Sequence, residues 1–383
     1  MQSERSGSYK KMLHGELAYS SFVPTPLPPK PPVEMSEEML KLLGTAHHLL
    51  GKLDGISVTL IDVDFFIAMY VRKEALLSSQ IEGTQASLDD ILDPHIEENT
   101  NLDVTEVVNY IKTTDYAMSR LQQLPICNRL LREMHEILMN CVRGQEKKPG
   151  EFRRSQNWIG PAGGNLKNAV FIPPNVDDMV QAMNDLELFM HADDEMDPLI
   201  KIGLIHYQFE TIHPFLDGNG RLGRMLITLW LMERDILRYP VLYISYYLKR
   251  NRMEYYDRLN ETRRKGNYEA WIGFFLRAMI DSARDAIETI QLVHQLNLEN
   301  EAKIQMLPNR KVNVLRLFRT IQRHPIIDIS KTAQQWGVQY NTVAKAVDQL
   351  VQLSILEQVD TKKRNRQFMY AKYLDVLRKD TEM

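Results

Sequence analysis

The sequence predicts a mainly α-helical protein that ends in a small basic module, and three observations carry that reading. Apolar residues recur at helical spacing from Pro198 to Ile212 (Leu199, Ile202, Ile205, Phe209, Ile212), and Leu222 to Met232 is apolar enough for a buried helix. Strand signals before the basic module are confined to one short hairpin within Gly150–Pro174. Charge is unevenly spread: from Asn309 to Met383 fourteen Lys/Arg stand against seven Asp/Glu, a net of +7, which leaves −10 on residues 1–308.

In chain order, Phe22 to Pro32 (FVPTPLPPKPP) is extended and has no capacity for helix. It reads as an arm packed on its own protein, with a ligand for a proline-reading domain as the alternative. Helical structure begins over Met35 to Asp54. The next helix runs from about Val63 to Ile81, with Gly83 as its C′ residue. Glu82 then sits in the last turn, where the helix dipole disfavours negative charge by roughly 0.3–1 kcal/mol unless a cation lies nearby.

The stretch GEFRRSQNWIGPAGGNLKNAVFIPP carries turn chemistry at Gly160–Gly164 and Asn165–Asn168, then a short strand at Ala169–Ile172 that Pro173 and Pro174 stop. Such an exposed hairpin can pair with an extended segment of a partner. Arg153 and Arg154 are placed to brace the loop that follows the next helix. After that loop, a helix from about Phe274 to Leu298 and the stretch Glu299 to Pro308 form a connector. The basic module reads as helix (Arg310–Arg323), strand (Ile326–Ile329), helix (Ser330–Trp336), turn at Gly337 and helix (Asn341–Leu353), with Ser330 and Asn341 as N-caps. Strands at Ile355–Val359 and Gln367–Lys372 then flank Lys362, Lys363, Arg364, Asn365 and Arg366. That order is a winged helix-turn-helix, similar to the DNA-binding modules of bacterial regulators, with Tyr340–Lys345 opening the recognition helix and the basic hairpin as wing. Contact with protein is the alternative, because Lys345 is the one cation at that helix opening.

The chemistry concentrates in His213–Arg224, read as HPFLDGNGRLGR. Pro214 cannot continue the helix that His213 closes. Gly218 and Gly220 permit bare, left-handed backbone, so Gly218, Asn219, Gly220 and Arg221 can turn successive N–H groups onto one anion at the positive end of the following helix. Arg221 and Arg224 oppose the dipole there unless an anion compensates them. Asp217 beside phosphates calls for a cation between, and Mg²⁺ is the usual one. His213 can take a proton from an attacking hydroxyl at neutral pH. A lone GNG turn would be an ordinary tight turn. His206, Glu210 and His213, spaced by four and three residues on one helical face, offer a rival metal-ligand reading.

This stretch resembles the core motif of Fic-domain proteins, HxFx(D/E)GNGRxxR, and His213, Phe215, Asp217, Gly218, Asn219, Gly220, Arg221 and Arg224 all match it. The resemblance implies a Fic-type helical core with a β-hairpin flap, and transfer of AMP from ATP to a Ser, Thr or Tyr hydroxyl of a protein, with pyrophosphate leaving. It implies His213 as general base, Phe215 as anchor of the loop and Asp217 as the Mg²⁺ ligand. Asn219 and the glycine amides would meet the inner phosphates and Arg221 and Arg224 the outer ones, with Leu222 and Gly223 completing the nucleotide-binding turn. Asn251, Tyr255 and Tyr256 resemble the region facing adenine and ribose. The hairpin would be the flap that registers the target hydroxyl.

Ser78 to Gly83 (SSQIEG) fits the family's inhibitory pattern (S/T)xxxE(G/N). By resemblance Glu82 pairs with Arg224 at the outer-phosphate position and Ser78 belongs to the same inhibitory motif. In some relatives the same glutamate positions water to remove AMP from a modified protein, so AMP addition and AMP removal both stay open. A DNA-binding regulator whose core only senses nucleotide is a further alternative. The expected partners are ATP, a target protein, the protein itself as target, a second copy in a homodimer, and DNA at the C-terminal module.

The expected layout is an N-terminal arm and inhibitory region over 1–107, a catalytic core over 108–273, a connector over 274–308 and the winged helix over 309–383. Cys127 and Cys141 are too few for a disulfide framework, which fits a reducing cytoplasm. No run of about eighteen apolar residues exists, and the polar start MQSERSGSYKK lacks a signal-peptide core, so neither membrane insertion nor export is indicated.

Overall fold

A computed structural model describes residues 4–15, 18–58, 63–142, 147–160, 163–307, 311–359, 366–379 and 381. An antiparallel pair, β1 (Gly7–Met12) and β2 (Tyr19–Pro24), leads into α1 (Glu37–Val58) and α2 (Val63–Ile81). Then follow α3 (Leu88–Leu92), α4 (Leu102–Arg120), α5 (Asn128–Leu138), α6 (Val176–His191), α7 (Pro198–Ile212) and α8 (Asn219–Glu233). The helical part closes with α9 (Ser245–Arg250), α10 (Arg252–Lys265) and α11 (Tyr268–Gln305).

Caps written in the sequence start several of these helices. Ser87 and Asp90 form a reciprocal capping box on α3, and Asn101, Asn175 and Asn267 side chains accept first-turn amides of α4, α6 and α11. α7 is the central helix, and every residue from Leu199 to Ile212 is buried. A helix buried on every side sits inside the protein, and its polar members Lys201, His206, Gln208 and Glu210 are buried with the rest. α8 and α11 pack on it, and α11 comes close because Gly203 has no side chain: a Cβ there would lie 2.9 Å from Ile272 and 3.0 Å from Phe275. The Trp271 indole N–H donates to the Gly203 carbonyl at 2.8 Å in that contact.

α2 and α7 have the predicted bounds. Other expectations are corrected. The helix expected from about Phe274 to Leu298 is longer: α11 runs unbroken through 38 residues from Tyr268. The expected boundaries at 107/108 and 273/274 fall inside α4 and α11. The flap holds no full strand: Ile159 and Phe171 form one isolated antiparallel bridge, while Pro161 and Ala162 lie outside the described residues. The small hairpin is instead β1 with β2, and the Phe22 N–H donates to the Ile172 carbonyl at 2.9 Å, so β2 backs the flap. The proline arm packs on its own protein: Arg5 donates to the carbonyls of Pro31 and Pro32 and pairs with Glu269 at 2.8 Å.

Beyond α11 come α12 (Lys311–Arg323), β3 (Ile326–Asp328), α13 (Ile329–Trp336), α14 (Tyr340–Gln352), β4 (Glu357–Gln358), β5 (Gln367–Met369) and α15 (Ala371–Arg378). The three strands pair antiparallel in the order β3–β5–β4. Ser330 and Asn341 lie inside helices; Asp328 caps α13 through the Lys331 N–H, and Gln339 precedes α14. The last strand stops at Met369, where Tyr370 turns the chain into α15. The basic tip Lys362, Lys363, Arg364 and Asn365, like Pro308, Asn309 and Arg310, lies outside the described residues. Among the described residues no helix is long and apolar enough to cross a membrane.

Candidate active site

α7 delivers His213. Asp197 caps the helix and Pro198 fills its first turn; at the other end His213 takes a left-handed conformation, φ 52°, before Pro214. That backbone costs about 1–2 kcal/mol for a residue with a side chain. Neighbours hold it there: the His213 carbonyl accepts from Arg153 Nε at 3.0 Å and Asn157 Nδ2 at 3.1 Å, and the Arg153 N–H donates to the Pro214 carbonyl. Arg153 is thus the expected brace, whereas Arg154 pairs with Glu151 on the surface. The His213 Nδ1 is buried with no hydrogen-bond partner among the described residues. Burial first, then the charges of Arg263 and Arg153, push its pKa down to about 4, so the imidazole is neutral at pH 7.

The loop body rests on a residue the sequence reading passed over. Phe215, wholly buried, stacks on His135 with ring centroids 3.8 Å apart. His135 Nδ1 accepts from the Gly150 N–H at 2.9 Å, so its Nε2 donates to the Asp217 carbonyl at 3.1 Å. Burial pushes that histidine down to about 4 as well. A single histidine on an amphipathic helix gives no sequence signal for this role. The Asn219 side chain both accepts from the Phe215 N–H and donates to the Phe215 carbonyl, each at 2.9 Å, so it staples the loop.

Gly218, φ 76°, caps α8, and a Cβ there would lie 2.9 Å from the Met139 sulfur. The Leu222 N–H bonds the Gly218 carbonyl and its side chain is core, so Leu222 is no phosphate donor. The unbonded amides of a first turn fall at Asn219, Gly220 and Arg221. Gly223 faces Glu210 and Phe209, and its carbonyl bonds His206 Nδ1 at 2.9 Å. With His206 Nε2 bonded to the Tyr255 hydroxyl at 2.9 Å, both ring nitrogens are used and the metal-ligand reading of His206, Glu210 and His213 fails. Tyr255 is 1% exposed, a core residue out of reach of a base. Asn251 and Tyr256 are half-buried.

Two arginines and four carboxylates set the electrostatics. Arg224, wholly buried, donates Nε to Ser78 Oγ and Nη2 to the Ser78 carbonyl, both at 2.9 Å, and lies 2.7 Å from Glu82 Oε1. Burial alone would lower its pKa; Glu82, then Tyr255, Tyr256 and Glu210, together more than offset that, and the net shift is upward. Ser78, Glu82 and Arg224 therefore meet, with Glu82 in the turn just past α2 rather than inside it. A Cβ on Gly220 would collide with Glu82 Oε1. Behind Arg224, burial pushes the Glu210 carboxyl up to about 7. Arg221 lies 3.5 Å from Glu106 and 3.8 Å from Asp217.

Asp217 Oδ1 accepts the Gly218 N–H at 2.7 Å and Oδ2 pairs with Lys147 at 2.8 Å. Burial would raise its pKa, yet Lys147 holds it below the usual carboxylate value. Among the described residues no three His, Cys, Asp or Glu side chains form a metal cluster. A lone, ionised, partly exposed carboxylate suits a cation shared with substrate phosphates, not a protein cage.

Residues 40–119 match the Fic/DOC family N-terminal domain and residues 125–231 the Fic/DOC family domain. Among curated proteins, the protein adenylyltransferase Fic of Drosophila ananassae is 28% identical over 207 residues, 52% of this chain and 36% of that protein. That of Drosophila erecta is 31% identical over 162 residues, 42% of this chain and 28% of its own length. The chain thus spans about a third of the length of these relatives. Among solved structures, a Fic family protein from Desulfovibrio desulfuricans shares the fold at a TM-score of 0.57 and 19% identity, covering 88% of this chain and 97% of that one. A Fic domain containing signaling protein from Bacteroides thetaiotaomicron follows at 0.50 and 17%, over 67% of this chain and 97% of that one. Two stretches of the chain are thus similar to Fic/DOC family domains, and residues 213–224 lie within the second.

Proposed function

We propose that the protein is an adenylyltransferase that moves AMP from ATP to a hydroxyl side chain of a protein and is held inactive by Glu82. The observation that carries this is the start of α8, where two buried guanidiniums stand at the positive end of a helix and the Arg221 Nε and Nη1 have no hydrogen-bond partner among the described residues. Cations placed there are unfavourable without an anion, and a polyphosphate supplies one. His213, kept neutral by burial, takes the proton of the attacking hydroxyl, and the first-turn amides with Arg221 and Arg224 meet charge on the phosphates. Asp217 would hold Mg²⁺, which supplies charge neutralisation on the phosphates when bound. Lys147 pairs with Asp217 Oδ2 at 2.8 Å.

Glu82 lies where an outer phosphate would meet Arg224, so ATP and Glu82 compete for one guanidinium. Its side chain is 37% exposed, and this favours a second reading in which the same carboxylate orients water to remove AMP. We read residues 309–383 as a winged helix-turn-helix and 1–107 as the inhibitory region. Tyr340 and Lys345 are exposed at the opening of α14, where DNA or a protein partner would bind. The deciding experiment is label transfer from α-³²P-ATP with Mg²⁺ to lysate protein, comparing wild type, Glu82→Gly and Glu82→Gly with His213→Ala. Label that appears with the single and vanishes with the double variant supports the inhibited transferase. Loss of AMP-removing activity in Glu82→Gly supports the second reading.

A further inference from the structure

Each loop arginine has its own carboxylate, and the two carboxylates differ in kind. Glu82, beside Arg224, comes from a turn and its side chain is 37% exposed. Glu106, beside Arg221, comes from the middle of α4 and its side chain is 7% exposed, against 4% for the arginine. A carboxylate in contact with water can be displaced by a phosphate and rehydrate; one that is buried cannot leave without stranding its charge. Glu106 therefore stays when nucleotide arrives. The same Oε2 that lies 3.5 Å from Arg221 Nη1 also accepts from Thr84 Oγ1 at 2.9 Å. Thr84 is itself tied to the Ser79 carbonyl at 3.2 Å, the carbonyl that takes the Glu82 N–H at 3.0 Å.

We propose that Glu106 is a positioning residue for nucleotide: it fixes the buried Arg221 guanidinium for an incoming phosphate and links it, through Thr84, to the turn that carries Glu82. The arginine is anchored by charge at long range while its Nε and Nη1 keep unused donors, among the described residues, for a ligand. Its Nη2 donates to the Met139 sulfur at 3.5 Å, a weak acceptor that a phosphate oxygen would outcompete. Fixing the guanidinium serves ground state and transition state alike, so its loss acts on nucleotide affinity before it acts on turnover.

This rests on the transferase reading, and the test separates the two. In the full chain bearing Glu82→Gly, Glu106→Gln and Glu106→Asp are compared for binding of the α,β-methylene analogue AMPCPP, whose α–β bridge cannot be cleaved, with Mg²⁺ by calorimetry, and for KM and kcat of label transfer from ATP. Glu106→Gln keeps shape and an acceptor for Thr84 but loses the charge. The expected result is a rise of about tenfold or more in Kd and KM, with kcat changed less than about threefold, and a smaller rise for Glu106→Asp. Unchanged Kd and KM in a folded Glu106→Gln, with transfer intact in the parent, overturns the positioning role alone. If Glu106→Gln does not fold, an unchanged Kd in Glu106→Asp overturns it equally. Nucleotide binding without transfer in the parent sinks the transferase reading, and the Kd comparison still decides Glu106.

Discussion

The Glu82 carboxylate lies 2.7 Å from the Arg224 guanidinium although 142 residues separate them in the chain. A helix-end glutamate and a helix-start arginine, each disfavoured by its own dipole, become mutually stabilising when the two helices meet. Replacing Glu82 by Gly should therefore free Arg224 for phosphate and raise AMP transfer by about tenfold or more, a typical coupling size. An unchanged or lower rate in the label-transfer assay would remove Glu82 as a brake.

His213→Ala should cut transfer by roughly 10²–10⁴-fold. Nucleotide affinity, measured by calorimetry, should change little, since phosphate contacts lie with α8. Because burial holds the His213 pKa down, at about 4 with Glu82 present, and loss of the Glu82 charge lowers it further, kcat/KM in the Glu82→Gly chain should hold on the acid side down to pH 4. An acid limb near pH 6.5, the ordinary histidine value, would show that His213 is not the titrating base.

Gly223 has no room for a methyl group. A Cβ there would meet the Glu210 carboxylate and lie 3.1 Å from the Phe209 ring. Gly223→Ala should destabilise the fold by about 1–3 kcal/mol, read as a lowered Tm in thermal melting. A Tm equal to that of the parent would contradict the packing described here.

Two sets of buried groups give opposite slopes of stability with pH. His135 and His206 are pushed from 6.5 to about 4 and about 3 by burial, so the folded state binds fewer protons than the unfolded one below pH 6.5, and stability falls as pH drops through that window. Glu74 is pushed from 4.5 to about 7 by burial, so its contribution is complete below pH 4.5 and is lost as pH rises toward 7. Chemical denaturation across pH 4–8 should show His135→Asn flattening the acid slope and Glu74→Gln flattening the neutral one. Identical profiles in parent and variants would refute both assignments.

Much of this was legible in the sequence. α2 and α7 have strong apolar periodicity and clear ends at Gly83 and Pro214, and the loop 213–224 packs glycines, a carboxylate and arginines into one turn. What stayed hidden depends on partners far away in the chain. His135 and Glu106 look like any polar residues on amphipathic helices, and only the packing of α5 and α4 against α8 gives them Asp217 and Arg221. The first strand, β1, is exposed along most of its length, so no alternation marks it. Tyr255 sat in a stretch rich in charge, yet its ring is core because His206 and Trp271 receive it. Ser330 and Asn341 are good caps in isolation, but Asp328 begins α13 two residues earlier.

The 38 residues of α11 make a rod about 57 Å long at 1.5 Å per residue. Its first turns pack against α7, and near its far end Asn300 donates to the Tyr370 hydroxyl at 2.7 Å inside the basic module. The module is held along the shaft as well as at its end: Lys379 pairs with Asp285 of α11, Arg378 with Asp89 of α3, and the Gln80 side chain of α2 donates to the Thr381 carbonyl. The consequence is that the basic module is a rigid extension of the helical part and not a bead on a string.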